Sequence, residues 1–361
     1  MPLNIVAVEL FRIRLPLRQP FRTARSTTTQ KDALLVRVVT DDHDGWGEVG
    51  AESHPTYAPE TLDSARIVLR DELVPRLFDD APLDAVRGNH AARAALTTAV
   101  VDARLRAEGT SLASHLGGTA TQVVAGVAVG RHDTVAELVA DVAACIGLGY
   151  RSIKLKIAPG HDVEVVAAAR DVAGPGVVLQ ADANGSYTLA DADRLAALDA
   201  LGIACLEQPL APDALLEHAR LAGRLRTPIG LDETITSARV AHDAIELRAC
   251  KVVSVKAGLV GGLAEARATH DACVDAGAGA RAGGMLETGV GRAALIALAS
   301  LPGFTIPGDL SASARYFEHD VTEPFELDNG RLTVPGGPGL GVAPLPDLLA
   351  RCTTAHERWR P

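Results

Sequence analysis

A chain of 361 residues with 47% hydrophobic residues, 22% charged residues and a mean hydropathy of +0.14 has ample material for a buried core, which excludes disorder as a description of the whole. Its formal charge of −10 excludes nucleic acid and anionic membrane surfaces as partners, because no segment supplies the concentrated basic surface that either requires. A small-molecule ligand is the default. The first residues, Met1–Leu17, lack an apolar signal core, and the longest charge-free run, Ala293–Gly308, contains Pro302 and Gly303 and is too short to span a bilayer, so a soluble cytoplasmic protein is expected.

The chain opens with two extended runs, Ile5–Leu17 and Ala33–Val39, followed by the turn Asp41-Asp42-His43-Asp44-Gly45 and the short run Trp46–Val49, a pattern that predicts an antiparallel meander. Helical periodicity follows over Pro59–Leu77 and Leu83–Glu108, the second closing near Gly109. Residues 1–122 therefore read as a small α+β domain. From Val123 the texture changes to short β-rich runs, each followed by an Ala/Leu-rich amphipathic stretch: 123–130, 152–158, 177–184, 203–209, 228–234, 252–258, 280–285 and 304–309. Eight strands alternating with helices at about 25 residues describe a closed (β/α) barrel over 123–321 better than an open sheet. The remaining segment, 322–361, is rich in Gly and Pro and is expected to form turns and pack back on the first domain.

Five cysteines (Cys145, Cys205, Cys250, Cys273, Cys352) show no paired spacing, which favours reduced, packed thiols over disulfides or a zinc motif, and the 11 histidines show no ligand spacing.

In such a barrel the site is built at the C-terminal ends of the strands, and the ionisable residues fall there one strand after another. Lys154 and Lys156 end the second strand, Asp182 with Asn184 the third, Glu207 the fourth, Asp232 with Glu233 the fifth and Lys256 the sixth. From Lys156 the steps are 26, 25, 25 and 24 residues, the strand-to-strand period itself. Alternation along a strand points Lys154 and Lys156 into the barrel and leaves Ile153, Leu155 and Ile157 for the helices. Three carboxylates on adjacent strands about 4.8 Å apart need a cation between them, and oxygen-only ligands favour Mg²⁺ or Mn²⁺ over zinc. The bland alternative is a set of buried acid–lysine pairs. Three acids flanked by three lysines at one level are costly to bury for stability alone, which favours function. Strands two and six lie on opposite walls of an eight-stranded ring, so Lys156 and Lys256 should face each other. A cation and Lys154 nearby would make Lys156 a better base than a free lysine.

The motifs KLK (154–156), DAN (182–184), LEQP (206–209), LDE (231–233), KAG (256–258) and GGMLETGVGRAA (283–294), in this order, resemble the muconate-lactonizing subgroup of the enolase superfamily over essentially the whole chain. The handling of a proton by lysine beside magnesium is a known principle of that superfamily. The resemblance implies a (β/α)7β-type TIM barrel with an N-terminal α+β capping domain completed by the C-terminal tail. GGMLETG, together with residues 307–327 and the glycine-rich ending, is similar to the branch containing o-succinylbenzoate synthases and N-acylamino-acid racemases.

That likeness implies metal ligands Asp182, Glu207 and Asp232, a proton-transfer pair Lys156 and Lys256 assisted by Lys154, and a loop around Pro20–Thr28 covering the substrate. Asn184, Glu233, Gly284, Met285, Glu287, Asp309 and Ser311 are expected to bind substrate or to support the residues that do. Ser311 is equally plausible as a turn residue. Dipeptide epimerases carry Asp-x-Asp where this chain has Asp309-Leu310-Ser311, which lowers that reading.

Two departures bear on function. Racemases of the branch commonly have Arg three residues after the sixth-strand lysine, whereas this chain has Leu259, so a one-base synthase of menaquinone biosynthesis is the first reading and a two-base N-succinylamino-acid racemase the second. Arg281 stands where apolar or aromatic residues are usual, and either points inward toward substrate or marks an irregular strand. A non-catalytic barrel that binds a metal or carboxylate is the further alternative. Barrels of this kind commonly self-associate, so a homo-oligomer is expected.

Overall fold

The computed structural model describes residues 3–361. β1 (Ile5–Arg22), β2 (Thr27–Thr40) and β3 (Asp44–Glu48) form the antiparallel meander, with both long strands running further than their apolar patterns. The alternation in β2 sends its two faces into different cores. Leu34, Val36 and Val38 pack with Val8, Leu10 and the helix His90–Glu108, whereas Ala33 and Leu35 pack with Ile13 and Leu15 toward the barrel. That helix starts with Ala91 and Ala92 amides bonded to Glu60 and ends at Gly109, whose φ of 66° suits a residue without Cβ.

The expected helix over 59–77 is instead two helices, Leu62–Val68 and Val74–Phe78, joined by a π-helical turn at Leu69–Leu73. Pro75 explains the interruption: it has no N–H to continue the helical ladder, and the turn before it widens.

β4 (Gln122–Val124) departs from expectation. The run 123–130 predicts one barrel strand, but β4 pairs outside the barrel, and only β5 (Gly126–Val129) enters it. β6 (Ser152–Lys156), β7 (Val178–Asp182), β8 (Cys205–Glu207), β9 (Ile229–Leu231), β10 (Val252–Val255) and β11 (Gly279–Ala282) follow in order as one parallel, curled seven-stranded sheet with helices between the strands.

The eighth predicted strand, 304–309, is not a regular strand. Pro307 cannot donate to a ladder, and the segment keeps an isolated bridge to Ala280 with amide bonds from Thr305 (3.1 Å) and Ile306 (3.3 Å) to Ala280 and from Asp309 to Ala282 (3.1 Å). It still closes the ring against β5. Gly126 packs so near Gly308 that a Cβ on Gly126 would lie 2.2 Å from the Gly308 carbonyl oxygen. The architecture is a (β/α)7β barrel with an N-terminal α+β cap.

The tail contains more than turns. β12 (Arg331–Thr333) pairs with β4, and β13 (Thr353–Trp359) adds to the edge of β1, giving the cap the strand order β13-β1-β2-β3. All five cysteines are unpaired and four are buried. Among the described residues, no helix is long and apolar enough to cross a membrane.

Cap and barrel are tied by Glu48 at the end of β3. Its carboxylate accepts from the Thr288 amide and hydroxyl (2.7 Å) and the Gly291 amide (3.0 Å), at the start of the barrel helix Gly289–Ala299. Burial pushes this carboxyl up to about 7, against the pull of Lys31 and Thr288. A raised carboxyl pKa stabilises the folded state only while protonated. The wild type should therefore lose stability relative to Glu48→Gln as pH rises from about 4.5 to 7, by on the order of 2 kcal/mol. Melting temperatures of the pair across pH 4.5–8 check this, and a constant gap contradicts it.

Candidate functional site

The parallel register places the acids in a row. Lys156 pairs with Asp182 across β6 and β7, Asp182 with Glu207 across β7 and β8, and Glu207 with Gly230 on β9, two residues before Asp232. Ile153, Leu155, Leu179, Leu206, Val253 and Val255 are buried in the barrel's outer core, so parity leaves the charged residues facing inward. After β7 and β8 the chain turns sharply through Asn184 (φ 44°) and Gln208 (φ 38°). Gln208 then accepts from the Asp232 amide at 3.0 Å, which fixes the third acid relative to the second.

Each acid is held by cations. Lys156 Nζ donates to Asp182 Oδ2 (2.6 Å) and Asn184 Oδ1 (3.1 Å). Lys154 Nζ lies 3.1 Å from Asp182 and 2.9 Å from Glu207 and also pairs with Asp309. Lys256 Nζ donates to Asp232 Oδ2 (2.7 Å) and to the Tyr57 hydroxyl (2.7 Å), which in turn donates to Asp232 Oδ1 (2.9 Å). The same ammonium lies 4.4 Å from the centre of the Tyr57 ring.

Burial works against every charge here, and the partners decide the outcome. For Asp182, Lys156 and Lys154 outweigh burial and hold the carboxyl well below the usual range. For Lys256, burial pulls down, but Asp232, Glu207 and Glu233 raise the amine above its ordinary value. For Glu233 the balance tips the other way: burial, Asp232 and Asp182 push it up to about 8 against the pull of Lys256 and of Asn184 Nδ2, which donates to it at 3.0 Å.

These groups open into a cavity lined by Lys154, Lys156, Asp232 and Lys256 from the barrel and Phe21, Arg25 and Tyr57 from the cap. Asn184, Glu233, Gly284, Met285, Glu287 and Asp309 also line it. Ser311 does not. It is buried, and its backbone carbonyl accepts from Arg292, which reaches the cavity in its place. Gly283 makes space for Lys256: a Cβ there would lie 2.6 Å from Ser254 Oγ and 2.7 Å from Lys256 Cε. The loop expected to cover the substrate is the β1–β2 hairpin tip. Arg25 ties it down, donating to the backbone carbonyls of Asn184 (2.5 Å), Thr56 (3.2 Å) and Gly185 (3.4 Å).

The sequence reading missed Tyr57 and Arg25, both on loops of the cap without periodicity. An aromatic content of only 3% was the available signal for Tyr57. Arg281, left open from sequence, points inward from β11 beside Ser254 and is fully buried, donating to Glu207 and to Gln180 Oε1 (2.8 Å).

Among the described residues, no three His, Cys, Asp or Glu side chains converge on one point as a ligand set. The physical reason is that each acid leans on a lysine or arginine. The donor chemistry nevertheless fits a hard divalent cation: the row offers only oxygens, Glu233 Oε2 is buried without a hydrogen-bond donor, and Glu207 Oε2 meets only the Lys154 ammonium at 2.9 Å.

Residues 135–348 match the family described as Enolase C-terminal domain-like. A curated N-succinylamino acid racemase of an Amycolatopsis species is 49% identical, with 98% of each chain covered. An o-succinylbenzoate synthase of Geobacillus stearothermophilus is 44% identical, with 94% of each covered. A crystal structure of an enolase-superfamily member from Listeria innocua superposes with a TM-score of 0.95 at 34% identity, covering 99% of this chain and 100% of that one.

Proposed function

Since the chain belongs to the enolase superfamily, whose enzymes depend on a divalent metal, we propose that it is an o-succinylbenzoate synthase-like dehydratase in which Lys156 moves the proton. The reaction is syn elimination of water from 2-succinyl-6-hydroxy-2,4-cyclohexadiene-1-carboxylate, a step of menaquinone biosynthesis. The observation that carries the reading is one cavity holding Lys156 and Lys256 at the two ends of the acid row, Lys156 on Asp182 and Lys256 on Asp232.

Asp182, Glu207 and Asp232 would hold Mg²⁺, or Mn²⁺ through the same oxygen ligands. The cation would bind the substrate carboxylate and stabilise the enediolate charge. Lys156 Nζ, positioned by Asn184 Oδ1, takes the α-proton and becomes an ammonium. The C–O bond to the ring hydroxyl breaks on the same face, and that ammonium returns the proton to the departing hydroxide, releasing water. Lys256, held as a cation by Asp232 and stacked over Tyr57, stabilises the ring without exchanging its proton. The hairpin tip tied by Arg25 excludes water. We place the enzyme in the cytoplasm as a homo-oligomer.

Two observations support a second reading, N-succinylamino-acid racemization: Lys256 reaches the same cavity as Lys156, and the Amycolatopsis relative bears that activity's name. There Lys256 would deliver a proton to the face opposite Lys156. Offering both substrates in parallel tests the order, and racemization equal to or faster than dehydration reverses it. Lys256→Ala separates the roles further. It should abolish racemization but lower the synthase kcat/KM by only about 10²-fold, through lost electrostatics. Failure of every candidate carboxylate to exchange its α-proton in heavy water with Mg²⁺ would favour a non-catalytic binding barrel.

A further inference from the structure

We propose that Arg281 is a fixed counter-cation beneath the acid row that weakens the bare site for divalent cations and makes their binding depend on the substrate carboxylate. The inference rests on the reading of Asp182, Glu207 and Asp232 as a cation site. Its basis is the position of the guanidinium. Arg281 lies on β11 opposite Ser254, is 1% exposed, and donates Nη2 to Glu207 Oε1 and Nη1 to Gln180 Oε1 at 2.8 Å, with Asp309 Oδ2 3.8 Å away. Gln180 is itself held, its amide donating to Ser152 Oγ and the Pro307 carbonyl, both at 3.4 Å. The guanidinium therefore has neither room to swing away nor, as an arginine, a proton to lose.

Two consequences follow for a cation above it. The first is steric and electronic. Arg281 occupies Glu207 Oε1 and the Lys154 ammonium lies 2.9 Å from Oε2, so a metal reaching Glu207 competes with a cation at either oxygen, and of the two only the lysine has a flexible stem. The second is charge. The acids Asp182, Glu207, Asp232 and Asp309 face the cations Lys154, Lys156, Lys256 and Arg281, so these charges balance with all of them ionised and would leave one net negative charge without Arg281. A divalent ion entering alone leaves the buried site positive, a state that low dielectric penalises. A carboxylate entering with it offsets part of that charge, so each should tighten the other. A role confined to packing or to orienting Glu207 predicts the reverse for removal of Arg281: unchanged or weaker metal binding.

Mn²⁺ titration calorimetry on the full chain distinguishes these, using the wild type, Arg281→Met, Arg281→Gln and Arg281→Lys, with circular dichroism checking the fold. The neutral variants should bind Mn²⁺ alone at least about tenfold tighter than the wild type, and the lysine variant should restore the wild-type affinity. In the wild type, o-succinylbenzoate or N-succinylphenylalanine should tighten Mn²⁺ by about tenfold, and by less in the neutral variants. Neutral variants that bind Mn²⁺ no tighter than the wild type overturn the role of Arg281 while leaving the cation site standing. Should neither neutral variant fold, the wild-type carboxylate arm decides, and no tightening by either carboxylate overturns the proposal. If neither the wild type nor the variants bind Mn²⁺, the cation-site reading fails and the proposal with it.

Discussion

Lys156→Ala is expected to lower kcat/KM by about 10⁴-fold, the upper range for loss of a positioned proton-transfer group. Lys156 Nζ sits 2.6 Å from Asp182 and 3.1 Å from Asn184, and Lys154 remains within 3.1 Å of Asp182, so the truncation does not strand a buried carboxylate. Mn²⁺ affinity should therefore persist or rise, since one positive charge has left the site. This pairing of outcomes separates lost chemistry from lost architecture. The direct readout is deuterium incorporation at the α-carbon in heavy water, which should fall to background. Exchange that survives in the variant would show that another group takes the proton, and the assignment of the base would have to be abandoned.

The other large effect is expected at Asp232. Its two oxygens serve Lys256 (2.7 Å) and Tyr57 (2.9 Å), and its amide is anchored on Gln208 (3.0 Å), so Asp232→Asn changes charge with little change of shape. Loss of one carboxylate from the row should weaken Mn²⁺ by at least about 100-fold, the upper end of what removing even a supporting group costs a metal site, and reduce turnover to background. Wild-type protein should gain melting temperature on adding Mn²⁺, by linkage between ligand binding and folding, whereas the variant should gain almost none at the same concentration. An undiminished Mn²⁺ affinity would remove Asp232 from the ligand set.

The positions that repeat with the strand period are legible in the sequence. Lys156, Asp182 and Glu207 end β6, β7 and β8, Asp232 and Lys256 directly follow β9 and β10, and strand parity turns all of them inward. What periodicity cannot reveal is a residue that reaches the cavity from outside the repeat. Tyr57 and Arg25 arrive on cap loops, and their contacts to Lys256 and to the carbonyls of Asn184 and Gly185 join residues more than a hundred positions apart.

The eighth strand was over-read because its apolar run passes through Pro307, where ladder pairing stops but ring closure does not. The tail does pack back on the first domain, but its strand β13 is a mostly exposed edge strand, Thr353–Trp359, with no apolar run to mark it in the sequence. Arg281 was undecidable from sequence, since an inward arginine is tolerable only if an anion waits for it, and Glu207 lies on a strand 74 residues away.

The strap made by Arg25 has a bearing on how such a site changes over generations. Its three acceptors are main-chain carbonyls of Thr56, Asn184 and Gly185, groups that every amino acid carries. Side chains around the mouth can therefore be exchanged to suit a differently shaped guest without undoing the fastening, which leaves molecular preference free to drift while enclosure is inherited intact.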